Sequence, residues 1–173
     1  MDMKNDLPYH SIPISPLEVN APNIIARMVD GLAFRYRWAT EGLKQAELSF
    51  KPSEDSMDLE KLLHHVYDLC FRTDAKFGGV IEQNKSIQSL ESLRASSLQH
   101  SSNLSQRLKA MTDSEFTKMM EGDDSQYSFW YTLNGPLADA LSYVGQILSW
   151  RRILGNPQRE GLNVFLGKPP KDL

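Results

Sequence analysis

Three polar side chains on two predicted helices have the chemistry of a metal or ligand site. At 100° per residue, His65 lies at the border of an apolar helix stripe, whereas the adjacent His64 points nearly the opposite way. Asp139 and Tyr143 are one turn apart on another predicted helix, the spacing at which two side chains can chelate one metal ion. Imidazole and carboxylate groups are common ligands of zinc and other divalent cations. These residues are therefore candidates for a metal or ligand site that side chains of two facing helices would build.

The same residues also fit two less specific interpretations. Gln146 and Trp150 continue the Asp139 face at helical spacing, and His100 lies near the stripe edge of a third helix. Together these polar and aromatic groups suit a small-molecule pocket. Alternatively, His65 is a hydrogen-bonded histidine at the core edge, and the Asp139 face packs against a neighbouring helix or a second subunit.

The composition favours one domain without nucleic-acid or membrane partners. A chain of 173 residues with a net charge of -3 and scattered Lys and Arg lacks the concentrated basic surface that a phosphate backbone requires. Cys70 is the only cysteine, so no disulfide can form within the chain. No apolar run resembles a signal peptide or reaches the length of a membrane span. The expected location is the cytoplasm.

Helical periodicity dominates the sequence. Apolar residues recur every three or four positions over four long segments, which predicts amphipathic helices and an all-α, four-helix bundle. Thr112-x-x-Glu115 is a capping-box pattern that predicts a short extra helix. Gly155-Asn156-Pro157 is a typical helix end. The predicted long helices are Pro22–Leu43, Ser56–Phe77, Ile87–Met111 and Asn134–Leu154.

Both ends of the chain are predicted to lie outside the bundle. Several prolines near the N-terminus remove backbone donors and disfavour helix, so we predict an extended arm. The apolar side chains of Ile12, Ile14 and Leu17 are expected to pin this arm to the domain surface. The predicted units are an extended N-terminal arm, 1–21, the bundle, 22–157, and an irregular C-terminal tail, 158–173.

Two segments resemble the DinB-like proteins. Leu62-Leu63-His64-His65-Val66-Tyr67-Asp68-Leu69 resembles the helix of that family that carries a lone metal-binding histidine. The segment from Asn134 to Ile147, with Arg151-Arg152 and Gly155-Asn156-Pro157 after it, resembles the family's last bundle helix and is the more specific match. The helix layout is similar from about Pro22 to Pro157.

The resemblance implies an up-down-down-up four-helix bundle that is often dimeric and holds zinc or nickel with three histidines. One histidine comes from the second helix and falls on His65 here. The other two come from the last helix and fall on Asp139 and Tyr143, so this chain departs from the triad twice. A phenol must lose a proton of pKa about 10 before it binds a cation well. The resemblance therefore implies an altered, weakened site whose metal is held weakly or absent.

Three functional hypotheses follow. The first is a metal-dependent enzyme of the thiol-dependent transferase or hydrolase type, for which the sequence identifies no catalytic residue. The second is a non-catalytic module that binds a small molecule in the former metal cavity. The third is a homodimer whose seam includes the Asp139 face, with Trp38, Trp130 and Trp150 as aromatic anchors. The sequence leaves open whether the protein is an enzyme.

Overall fold

The structure, a computed structural model, describes residues 7–79, 89–121 and 128–171. These residues form helices and irregular segments without a β-strand, and one isolated bridge joins Asn163 to Lys168. The predicted all-α class is confirmed over this part of the chain. The helices are α1 (Ala21–Thr40), α2 (Leu59–Lys76), α3 (Leu90–Ala110), α4 (Asp113–Met120), α5 (Phe129–Thr132) and α6 (Ala138–Ile153), with a 3₁₀ turn at Gln45–Glu47 and a π turn at Leu133–Leu137.

Side-chain caps determine where the helices begin. Asp58 Oδ1 accepts a hydrogen bond from the Lys61 backbone N–H at 2.8 Å, which starts α2. The predicted start at Ser56 is wrong, because the Ser56 hydroxyl is used in the turn that precedes the cap. Thr112 and Glu115 form the predicted capping box at the start of α4.

The last long helix begins before its predicted start. Ser128 caps α5, and the helical path continues through the π turn into α6, so Asn134 lies inside it rather than at its beginning. Pro136 lies within the π turn. Proline has no N–H for an α-helical bond and its ring crowds the preceding turn. A π turn inserts one extra residue and accommodates that crowding without ending the helix.

The four long helices pack in pairs around one apolar core. α1 contacts α3 and α6, and α2 contacts the same two helices. Each helix supplies fully buried apolar side chains to this core, among them Phe34, Leu62, Leu98 and Ile147. Among the described helices, none combines the length and the apolar character needed to cross a membrane.

Polar contacts hold the N-terminal arm against α1. Tyr9 is buried, and its hydroxyl donates to Asp30 Oδ1 at 3.1 Å. The indole Nε1 of Trp38 donates to the carbonyl of His10 at 3.2 Å, and the two rings are in contact. The arm therefore follows α1 through specific hydrogen bonds.

The apolar side chains that we expected to pin the arm do so only in part. Ile14 and Leu17 are almost fully exposed, at 94% and 102%, so that prediction is wrong for both. Ile12 packs partly against the core, and its backbone N–H donates to the carbonyl of Gly167 in the C-terminal tail at 2.9 Å. The arm contacts α1 through the side chain of Tyr9 and the carbonyls of His10 and Pro13, whereas Ile14 and Leu17 are exposed.

Candidate functional site

His65 and Tyr143 meet between α2 and α6. Their rings are arranged edge to face, with centroids 5.0 Å apart and an interplanar angle of 84°. Both side chains are half-buried. The contact follows from the packing of α2 against α6, because each residue lies at the border of its helix's buried stripe. We call this pair, together with Asp139 one turn earlier on α6, the His65 face.

The other site residues predicted on α6 differ in burial. Asp139 is exposed, Gln146 is half-buried, and Trp150 is buried against Phe50 with ring centroids 6.3 Å apart. Burial increases from Asp139 to Trp150 along this side of α6, where Phe50, in the segment that follows α1, packs against the ring of Trp150. The carboxylate of Asp139 is thus in contact with solvent rather than enclosed beside the imidazole of His65.

His100 does not join the His65 face. Its ring contacts Tyr67 and Phe71, and its Nδ1 lies 2.7 Å from Asp74 Oδ2. Positions 67, 71 and 74 lie roughly opposite position 65 around α2 at 100° per residue. Helical pitch therefore separates the two histidines, and the expectation that His100 contributes to a pocket with Gln146 and Trp150 is not supported by this geometry.

His100 belongs instead to a partly buried polar cluster with Asp74 and Arg107. Asp74 is fully buried at the end of α2, and its carboxylate contacts both the guanidinium of Arg107 and the imidazole of His100. Burial lowers the pKa of His100 below its ordinary value. A neutral imidazole with Nδ1–H donating to Asp74 satisfies both groups. The sequence signal for this cluster was a carboxylate within the apolar stripe of α2, and it was missed.

Because burial lowers the pKa of His100, the folded state binds this proton less readily than the unfolded chain. The free energy of unfolding is expected to fall as the pH drops from about 7.5 through the unfolded value of about 6.5. His100→Asn keeps an N–H that can donate to Asp74 but does not titrate, so its stability should fall less over that interval. Urea unfolding of both proteins at a series of pH values measures this, and parallel curves would contradict it.

The donor atoms of the His65 face do not fit a tightly held zinc or nickel ion. They comprise one imidazole, one exposed carboxylate and one phenol, and a neutral phenol is a poor ligand. Within the described ranges, no group of three His, Cys, Asp or Glu side chains is arranged to hold a metal ion.

Cys70 does not supply a reactive thiol to the site. It is buried in the core, and burial raises the pKa of its thiol to about 11. The hydroxyl of Ser101 donates to its sulfur at 3.7 Å. Since the thiolate is the form that binds metals and attacks electrophiles, Cys70 acts as a small apolar core residue at neutral pH.

A cavity large enough for a small molecule lies away from the His65 face. It has a volume of about 500 Å³ and lies between the end of α1 and the start of α3. Its lining is mainly apolar and includes the ion pair between Arg94 and Glu41. Small-molecule sites commonly have this size and this mixture of apolar surface with a few polar groups.

The tryptophans expected as dimer anchors are mostly inside the domain. Trp38 and Trp150 are buried, so neither can anchor a second subunit in this structure, whereas Trp130 is exposed. Trp38 is covered by the arm and Trp150 by Phe50. Sequence spacing could not show this covering, because both groups come from segments outside the helices that carry the tryptophans.

Comparison of this chain with models of known protein families, with curated proteins and with solved structures finds no match.

Proposed function

We propose that this chain is a DinB-like protein in which the metal site has been weakened by the replacement of two histidine ligands. The observation that supports the proposal is the contact between His65 on α2 and Tyr143 on α6. These are the helices from which the DinB-like site is assembled. The ring contact accounts for two of the three proposed ligand positions, and Asp139 lies one turn before Tyr143.

The proposal includes the up-down-down-up order of the four long helices. Arg94, near the start of α3, donates to groups at the end of α1, which supports opposite directions for these helices. Arg107, near the end of α3, donates to the carbonyl of Phe77 just after α2, which supports parallel directions. Arg151, at the end of α6, donates to Ala39 at the end of α1, which supports parallel directions for that pair.

Restoring the missing ligands tests the proposal. The double variant Asp139→His/Tyr143→His is expected to purify with a stoichiometric amount of zinc or nickel, since three imidazoles complete a tetrahedral site with one open position. The unaltered chain is expected to hold much less metal. Elemental analysis of protein made without a histidine tag gives the metal content, and circular dichroism confirms that the variant folds.

Two further substitutions make the result specific. Adding His65→Ala to the double variant should remove the metal, whereas adding His64→Ala should not, because His64 points away from the site at helical pitch. A folded double variant that binds no more metal than the unaltered chain would show that the DinB-like ligand positions do not apply here.

A small-ligand-binding role without catalysis is the second candidate, and the cavity between α1 and α3 favours it. Binding to the folded state raises the melting temperature by mass action. A thermal-shift screen in which metabolites stabilise the unaltered chain and divalent cations do not would favour this role. Stabilisation by cations alone would favour the metal-dependent one.

A further inference from the structure

The cavity between the end of α1 and the start of α3 combines apolar walls with an ion pair. Its volume of about 500 Å³ is typical of a small-molecule site. The apolar side chains of its lining come from the arm, from the segment after α1 and from α3, and they are Leu7, Leu43, Leu90 and Ala95. The charged side chains of its lining are Glu41, Glu91 and Arg94. The ligand class then depends on which polar groups of the lining remain available.

The hydroxyl groups of the lining are already used by the two helices. The hydroxyls of Ser89 and Ser92 bond to each other and to the backbone of the cap of α3. The hydroxyl of Thr40 donates to the carbonyl of Tyr36 at 2.8 Å and accepts from Nε of Arg94 at 2.9 Å. These hydroxyls complete the helix ends, so the charged groups are left to bind a ligand.

Arg94 and Glu41 each keep one polar group for a ligand. Arg94 is only 8% exposed, and its Nε and Nη2 donate to the hydroxyl of Thr40, the carbonyl of Arg37 and Oε2 of Glu41. Among the residues that the structure describes, none forms a hydrogen bond with Nη1 of Arg94 or with Oε1 of Glu41. A nearly enclosed guanidinium is most stable when each of its donors has an acceptor. The ion pair therefore offers a molecule in the cavity one charged donor and one charged acceptor.

The charges of the lining favour a zwitterion over a simple acid or a simple amine. A carboxylate alone would meet the carboxylates of Glu41 and Glu91 beside a single guanidinium. An amine alone would leave Nη1 of Arg94 without an acceptor. A molecule with both groups satisfies the pair, and the positive end of the α3 dipole also favours its carboxylate.

We propose that this cavity binds an apolar α-amino acid. Its carboxylate accepts from Nη1 of Arg94, its ammonium donates to Oε1 of Glu41, and its side chain packs against the apolar walls. Nη1 and Oε1 are each two bonds from the atoms that form the ion pair, so two groups on one carbon can reach both. This proposal rests on the ligand-binding role given above as the second candidate function, and it does not depend on the metal site.

Titration calorimetry with matched ligands tests the ligand class. L-leucine and L-phenylalanine are titrated separately into the unaltered chain, and at least one of them is expected to bind. The analogues without the ammonium are isocaproate and hydrocinnamate, and those without the carboxylate are isoamylamine and phenethylamine. Each analogue should bind about tenfold or more weakly than its parent amino acid, because one charged hydrogen bond is lost. Glycine should bind more weakly still, since it has no apolar side chain to bury.

Filling the cavity tests its location. Ala95→Phe places a large side chain in the lining and should lower the affinity for the amino acid about tenfold or more. The matched control is Ser96→Phe, at the next position of α3, which is also half-buried but does not line the cavity. Its affinity should match that of the unaltered chain. Thermal unfolding verifies that both variants fold.

A change of charge at Glu41 tests the role of the ion pair. Glu41→Gln keeps an oxygen that can accept from Arg94 but removes the negative charge that pairs with the ammonium. This variant should bind the amino acid about tenfold more weakly, and it should bind the analogue without the ammonium as well as the unaltered chain does or more tightly. A general disturbance of the cavity would weaken both ligands.

Three results would overturn the proposal. They are a chain that binds neither amino acid, amino acids that bind no more tightly than both of their analogues, and an affinity that Ala95→Phe lowers no more than Ser96→Phe does. If neither amino acid binds but another metabolite stabilises the chain and Ala95→Phe abolishes that effect, the ligand class is wrong and the ligand-binding role stands. If no metabolite stabilises the chain, the ligand-binding role fails as well.

Discussion

Replacing Asp30 with alanine is expected to lower the free energy of unfolding by about 3 kcal/mol. Asp30 is fully buried on α1, and its carboxylate accepts hydrogen bonds from Tyr9, Ser105 and Lys109, the last two at 2.6 Å. The alanine variant leaves the ammonium of Lys109 and the hydroxyl of Tyr9 without their acceptor. It also removes contacts of α1 with both α3 and the arm, because Ser105 and Lys109 lie on α3 and Tyr9 lies in the arm.

Urea unfolding at neutral pH measures this effect, provided that the slope with denaturant is unchanged. Asp139→Ala is the matched control, because its carboxylate is exposed and should change stability by less than about 0.5 kcal/mol. Tyr9→Phe removes one donor only and should cost about 1 kcal/mol. A loss below about 1 kcal/mol for Asp30→Ala would mean that the cluster is hydrated or that its donors find other acceptors.

The second large effect is expected at Arg151. Its guanidinium is buried and donates to the carbonyls of Ala39 and Asn156 at 2.9 and 2.8 Å, and to the Asn156 side chain at 3.2 Å. It thereby joins the end of α6 to the end of α1. Arg151→Ala is expected to lower the free energy of unfolding by about 3 kcal/mol, because the buried acceptors lose a charged donor.

Arg151→Lys separates geometry from charge. A lysine keeps the charge but cannot reproduce the planar fork that reaches several acceptors, so most of the loss should remain. Arg152→Lys and Arg152→Ala are the matched controls, since Arg152 is exposed, and both should be within about 0.5 kcal/mol of the unaltered chain. Thermal and urea unfolding give the comparison. Equal effects at the two arginines would contradict the role assigned to Arg151.

Local sequence signals predicted the helices well, because helix formation depends on residues a few positions apart. The apolar period located α1, α2, α3 and α6, and the capping box located α4. Boundaries were less accurate where two local signals compete. Ser56 and Asp58 are both acceptable caps, but the Ser56 hydroxyl bonds to Ser53 in the preceding turn, and Asp58 caps the helix.

At Pro136 the local rule for proline and the tertiary structure disagree. Proline usually marks a helix boundary, so Asn134 was expected to begin the last helix. In the structure Pro136 is buried, and the π turn carries the helix past it. The packing of this segment against α2 holds the turn in place, and such packing lies beyond the range of a sequence window.

The candidate site could be predicted only in outline. Helical pitch placed His65 and Tyr143 at the borders of their apolar stripes, and the structure brings their rings together. Pitch alone could not tell that Asp139 stays in solvent while Trp150 is covered by Phe50. Covering groups come from loops and from the arm, whose paths are set by the whole domain.

The sequence by itself determined the class of the fold, the periodicity of its long helices and the cap of α4, since these depend on neighbours within a turn or two. The tertiary structure decided which charged groups are enclosed. Arg151 and Arg152 are identical in type and adjacent in sequence, yet one is buried against α1 and the other is in water. The physical reason is that the burial of a charge is tolerated only where the fold supplies its partners. Asn156 comes from the turn after α6, and the carbonyl of Ala39 comes from a distant part of the chain.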